Sequence, residues 1–213
     1  SVRREGRGAP EEDGAGVVSK VNRDTIPQWN IDGVLPPCDM DDPVSDDRSP
    51  YTISLTDCIL RFGTTQTRQS ILNGFMEFRS ALHSVGLVEG FQWIDGSFLE
   101  HVEENEGRDP HDIDLVTFFH LPEGVSERDL FSKAPHLFNP QRTKEDFHVD
   151  AYFVRLNTEY PEFLVSKAAY WYSVWSHRRD GLWKGFLQID LSSNDDQVAA
   201  TNLREMMSEG GAL

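Results

Sequence analysis

Two aspartates, Asp112 and Asp114, stand one residue apart at the head of the run Asp112-Ile113-Asp114-Leu115-Val116. A third, Asp150, is the one acid in Phe147-His148-Val149-Asp150-Ala151-Tyr152-Phe153. Strand side chains alternate faces, so Asp112 and Asp114 project together while Ile113 and Leu115 project the other way, into a helix layer. If the two runs are neighbouring strands, Asp150 joins the pair. Three carboxylates at close range do not all stay ionised without a counter-charge. Hard oxygen donors of this kind suit Mg²⁺ (or Mn²⁺), which takes one or two carboxylates with phosphate oxygens and water. Gly96-Ser97, after the apolar run at 91–95, supplies the other half of such a site. Glycine lets the backbone approach a phosphate, and the serine offers a hydroxyl and an N–H at the start of a short helix. A phosphate turn beside a metal platform fits a nucleoside triphosphate such as ATP.

The elements that must position these residues are readable from periodicity. Ser54 with Asp57 forms a capping pair before Leu55, Ile59 and Phe62 at helical spacing. Residues 66–84 carry the stripe Ile71, Leu72, Phe75, Phe78 and Leu82, and Gly86 suits the end of that helix. Strands are expected at 91–95, 112–119, 147–156 and 183–191. A short helix at 126–133 has Ser126 as its cap. A long helix at 158–177 places Leu164, Ala168, Trp171, Tyr172 and Trp175 on one side, and a terminal helix covers 194–207. The alternation of helices and strands predicts an α/β (α+β) domain over 25–192, with 193–213 as a C-terminal helix packed on or extending it. Residues 26–51, rich in Pro, Gly and Asp, read as an irregular segment over the domain anchored by Trp29, Ile31 and Leu35. The acids Asp39, Asp41, Asp42, Asp46 and Asp47 lack calcium-loop spacing and read as a solvated loop. Residues 1–24, nearly free of large apolar groups, read as a flexible arm.

The order strand, Gly-Ser, helix, then Asp-x-Asp on the next strand and a third Asp on a later one, resembles the DNA polymerase β-type nucleotidyltransferase superfamily. The resemblance covers residues 91–153 and places Gly96, Ser97, Asp112, Asp114 and Asp150 on the motif positions. In size the chain looks like the minimal nucleotidyltransferases of bacteria and archaea, many of which sit in toxin–antitoxin or phage-defence gene pairs. The resemblance implies a small mixed sheet flanked by helices. It also implies Mg²⁺- or Mn²⁺-dependent transfer of an NMP from an NTP to a hydroxyl acceptor: a tRNA or other RNA end, a protein side chain, or a small molecule. In that scheme Asp112 and Asp114 hold the metals and the triphosphate, Asp150 holds the catalytic metal and helps deprotonate the acceptor, and Gly96 and Ser97 fix the β/γ-phosphates. The chain departs from the pattern between Ser97 and Asp112, fifteen positions (112 − 97) that include HVEENEGRDPH. Glu100, Glu103, Glu104 and Glu106 there would repel a triphosphate if they faced it. A rival reading is a catalytically silent copy kept as a binding or regulatory subunit, an antitoxin or defence-complex component. The acidic insertion and the Trp-bearing helix favour it, and the three intact acids oppose it.

Lys184, near Arg178 and Arg179, either reaches the β/γ-phosphates or balances local acids. His148 is expected to share a strand face with Asp150. The net charge of −16 in 213 residues disfavours broad nucleic-acid binding but leaves room for a local patch for a short RNA end. Cys38 and Cys58 show no metal or redox spacing and read as free thiols. No apolar run approaches the roughly twenty residues of a membrane helix. No leader is apparent, so a cytoplasmic protein without membrane contact is expected, and the resemblance to gene-pair members implies a protein partner encoded nearby.

Overall fold

Ser54 accepts a hydrogen bond from the Asp57 N–H and donates its own to Asp57 Oδ2 at 2.6 Å. This reciprocal cap starts helix α1, Leu55–Phe62, with Leu55, Cys58, Ile59 and Phe62 buried. Thr65 caps α2, Gln66–Ser84, whose stripe Ile71, Leu72, Phe75, Phe78 and Leu82 is buried as its spacing predicts. The computed structural model describes residues 26–210, and the expected arm at 1–24 lies outside them. Five further helices follow: α3 Val102–Asn105, α4 Glu127–Lys133 with Ser126 as cap, α5 Pro140–Phe147, α6 Pro161–Trp175 and α7 Asp196–Gly210.

The strands are β1 Tyr51–Ile53, β2 Gly90–Asp95, β3 Ile113–Phe119, β4 Val149–Arg155 and β5 Leu187–Asp190, and they form one sheet in the order β1-β5-β2-β3-β4. β2 runs antiparallel to both β3 and β5, whereas β1/β5 and β3/β4 are parallel pairs. The architecture is therefore a mixed α/β (α+β) sheet with helices around it. On one face, Phe153 of β4 meets Phe78 of α2. Arg79 of α2, 1% exposed, donates to Gln92 Oε1, to the carbonyls of Asp190 and Ser192, and to the Asp196 carboxylate. That one guanidinium joins α2, the middle strand, the end of β5 and the start of α7. On the other face, Tyr152 packs on Trp171 of α6, and Trp175 on Phe186.

Several elements differ from the sequence expectation. β1 starts at the last residue of the segment expected to be irregular, ahead of the first expected helix, and the sequence pattern does not predict α5. The strand expected at 147–156 begins at Val149, because Phe147 closes α5 and His148 adopts the left-handed conformation at its C-cap (φ +56°). His148 therefore does not share a strand face with Asp150. The strand expected at 183–191 shrinks to Leu187–Asp190, since the N–H groups of Lys184 and Gly185 bond to the carbonyls of Ser176 and Leu35. Of the three proposed anchors, Leu35 is buried and Trp29 donates to the Leu99 carbonyl, but Ile31 is 97% exposed. Cys38 and Cys58 are buried free thiols, and burial pushes Cys58 up to about 12.

Candidate active site

The strand register aligns the acids. Asp114 of β3 is the direct partner of Asp150 on β4 and, across the other edge, of Asp95 on β2. Directly paired residues project from the same face, so Asp95, Asp114 and Asp150 form a row across three adjacent strands. Asp112, two positions before Asp114, belongs to the same face just ahead of β3. The conditional neighbourhood of the two Asp-bearing strands is thus met, and the row gains a member, Asp95, that strand patterning alone does not single out.

Gly96 follows Asp95 with φ +90°. A Cβ built there would lie 2.4 Å from Asp114 Oδ2. Only glycine accepts both that dihedral and that approach. Gly96→Ala is expected to cost roughly 1–3 kcal/mol, read as a melting temperature lowered by several degrees. An unchanged melting curve would show that the turn yields freely. Ser97 opens a single 3₁₀ turn, Ser97–Leu99, rather than the expected helix. One turn carries little macrodipole, so any anion contact here rests on the Ser97 hydroxyl and local N–H groups.

The acidic stretch after Ser97 is largely neutralised. Arg68 of α2 is fully buried and donates to the carbonyls of Phe98 and Glu100 and, through two nitrogens, to the Glu103 carboxylate. Glu100 is buried and accepts the charge of Lys184 at 3.1 Å, with Arg178 3.8 Å away. Glu106 pairs with Arg108. Of the four glutamates expected to repel a triphosphate, two therefore turn inward onto buried cations. Lys184 itself is 3% exposed, with its amine 2.7 Å from Asp95 Oδ1. Burial alone would lower its pKa, but Asp95 and Glu100 reverse the sign and hold it above the ordinary lysine value. In this geometry its role is the balancing of local acids. Arg179 is exposed.

The row is electrostatically loaded. Burial, then the charges of Asp95, Asp112 and Asp150, push Asp114 up to about 7, with Lys184 opposing. Burial also raises Asp95, again against Lys184. Asp112 Oδ2 is buried and its partner is Lys144 Nζ, 2.5 Å away, a contact that raises the lysine pKa, first through their hydrogen bond. Tyr152, two residues after Asp150 on the same face, has its phenol raised by burial and then by Asp150. The donor set is of the kind a hard dication takes: carboxylates aligned on one face, with Asp114 raised by burial and then by its like-charged neighbours. Among the described residues no three His, Cys, Asp or Glu side chains are already gathered closely enough to hold an ion. Coordination therefore requires rotation of these carboxylates toward a common point.

The family described as "Family of unknown function (DUF6932)" matches residues 27–190, and the chain belongs to it. No curated protein and no solved structure matches the chain. Among the described residues, no helix is long and apolar enough to cross a membrane.

Proposed function

We propose that this member of the family is a metal-dependent nucleotidyltransferase that moves an NMP from an NTP to a hydroxyl acceptor. The observation that carries the reading is the register itself: Asp114 faces Asp150 across the parallel β3/β4 pair, with Asp112 two residues before it and Gly96-Ser97 at the end of the adjoining strand. Asp112, Asp114 and Asp150 are the residues that would hold Mg²⁺ or Mn²⁺. When bound, such ions neutralise charge on the triphosphate and lower the pKa of a coordinated hydroxyl. Gly96 and Ser97 receive the β/γ-phosphates. Asp150, on the edge strand β4, is the carboxylate that would help take the acceptor's proton. The acceptor oxygen then forms a bond to the α-phosphorus as the bond to the pyrophosphate oxygen breaks. Positioning supplies much of the rate in such a displacement.

The test is transfer of label from each α-³²P-labelled NTP, with Mg²⁺ or Mn²⁺, into purified tRNA and into a cell extract. The control is Asp112→Ala/Asp114→Ala protein. Label in an RNA or protein band that vanishes with the double variant supports the enzyme and names its acceptor class. The second reading, a catalytically silent antitoxin or defence-complex subunit, is favoured by the apolar groups that α6 exposes, Phe163, Val165, Tyr170 and Val174. Absence of transfer under every condition, with wild type and variant both folded, decides for it.

A further inference from the structure

Lys144 is a residue the motif does not contain. It lies in the last turn of α5, and its carbonyl accepts the N–H of His148, whose left-handed conformation turns the chain directly into β4 and Asp150. α5 is held against α2 at a tight contact. A Cβ added to Gly74 would lie 2.2 Å from the Phe147 carbonyl oxygen. The helix is thus fixed, and the flexible lysine stem is the part free to move. Lys144 Nζ reaches 2.5 Å from Asp112 Oδ2, yet the lysine side chain is 53% exposed, whereas Asp112 is 14% exposed. The contact is a close ion pair, yet more than half of the lysine side chain lies in solvent, so the ammonium can leave without unpacking the core.

We propose, resting on the nucleotidyltransferase reading, that Lys144 is an exchangeable counter-cation and a triphosphate-binding residue. In the free protein it neutralises Asp112. A dication on the Asp112 carboxylate and the ammonium beside it repel each other, by about 1 kcal/mol for unit charges about 4 Å apart in a wet site and more where water is excluded. An incoming metal–triphosphate therefore displaces Lys144 from Asp112 and offers it phosphate oxygens in exchange. Lys184 cannot do this, because its amine is buried on Asp95 and Glu100. Lys144 is the solvent-reaching cation of the acidic row. The exchange leaves Asp112 beside a cation both before and after binding. It also makes metal alone a poorer ligand than metal with nucleotide.

The test separates the two halves of the exchange in Lys144→Met protein, with Lys144→Arg beside it. Mn²⁺ alone is titrated by electron paramagnetic resonance, and Mn²⁺ with a non-hydrolysable NTP analogue by calorimetry. Lys144→Met is expected to bind Mn²⁺ alone about fivefold more tightly, the worth of one charge contact in a wet site. It is expected to bind the Mn²⁺–nucleotide several-fold more weakly, and Lys144→Arg to recover nucleotide binding. Mn²⁺ affinity unchanged or lowered in Lys144→Met, with wild type binding both ligands, overturns the exchange and leaves the nucleotidyltransferase reading standing. Wild type that binds neither Mn²⁺ nor the analogue overturns both.

Discussion

Asp114→Asn protein melts at higher temperature than the wild type in EDTA at pH 8, and by far less at pH 4. The Asp114 carboxyl titrates near 7 in the folded chain, against an ordinary value of 3.8, because it is buried and then because Asp95, Asp112 and Asp150 surround it. The unfolded chain gives up this proton first. Between about pH 4 and 7 the folded state binds more protons, so the wild type loses stability as pH rises through that window and levels off above it. An amide has no charge to lose, and the variant escapes this decline. The difference at pH 8 amounts to roughly 2–4 kcal/mol, or on the order of 10 °C for a chain of this size. On the proposed function the same substitution removes one of the metal-holding carboxylates, and label transfer is then expected to fall by about two orders of magnitude or more. Thermal melts at the two pH values, with and without Mn²⁺, check both halves. A variant that melts below the wild type at pH 8 would show that Asp114 is stabilised where it stands, contrary to the electrostatic account. Gain of stability with loss of function marks a carboxylate placed for chemistry rather than for folding.

Lys184→Met gives the opposite result. Its ammonium is the buried counter-charge for Asp95 and Glu100, themselves 4% and 8% exposed. Methionine nearly conserves the volume, so the cost is electrostatic. Asp95 loses its cation in a buried place, and Glu100 is left with Arg178 3.8 Å away. Removing one member of such a buried group costs about 3–5 kcal/mol, or roughly 10 °C or more in melting temperature. The double variant Lys184→Met/Asp95→Asn recovers a large part of that loss, because the amide needs no cation. Urea denaturation of the two single variants and the double variant measures the coupling. Strictly additive losses would show that Lys184 does not hold Asp95, and that the row on β2–β4 is balanced by other means.

The residues that could do chemistry were more legible than the elements between them. Asp112, Asp114 and Asp150 were found because an acid inside an apolar strand violates the pattern around it, and the violation is visible in one dimension. The caps at Ser54 and Ser126 and the stripe of α2 were legible for the same reason, since each is a local pattern. Asp95 was not legible. It ends an apolar strand as many turn-facing acids do, and only the antiparallel register with β3 sets it against Asp114. Helix α5, Pro-Gln-Arg-Thr-Lys-Glu-Asp-Phe, buries only Thr143 and so carries no apolar stripe. Its signal was Asn139-Pro140, a cap followed by proline at the first helical position. β1 is three residues long and exists because β5, distant in sequence, lies parallel beside it. The insertion after Ser97 read as a repulsive acidic loop because the cations that neutralise it, Arg68 and Lys184, come from elsewhere in the chain.

Arg68 has a further consequence. By bonding the carbonyls of Phe98 and Glu100 from inside the core, it freezes the backbone that leads out of Gly96-Ser97 when the domain folds. The conformational entropy of that turn is surrendered at folding, and none of it remains to be lost when a ligand arrives. A phosphate that docks there meets a surface as rigid as the sheet behind it. The entropic penalty of association then falls on the solvent-borne side chains and on the incoming molecule.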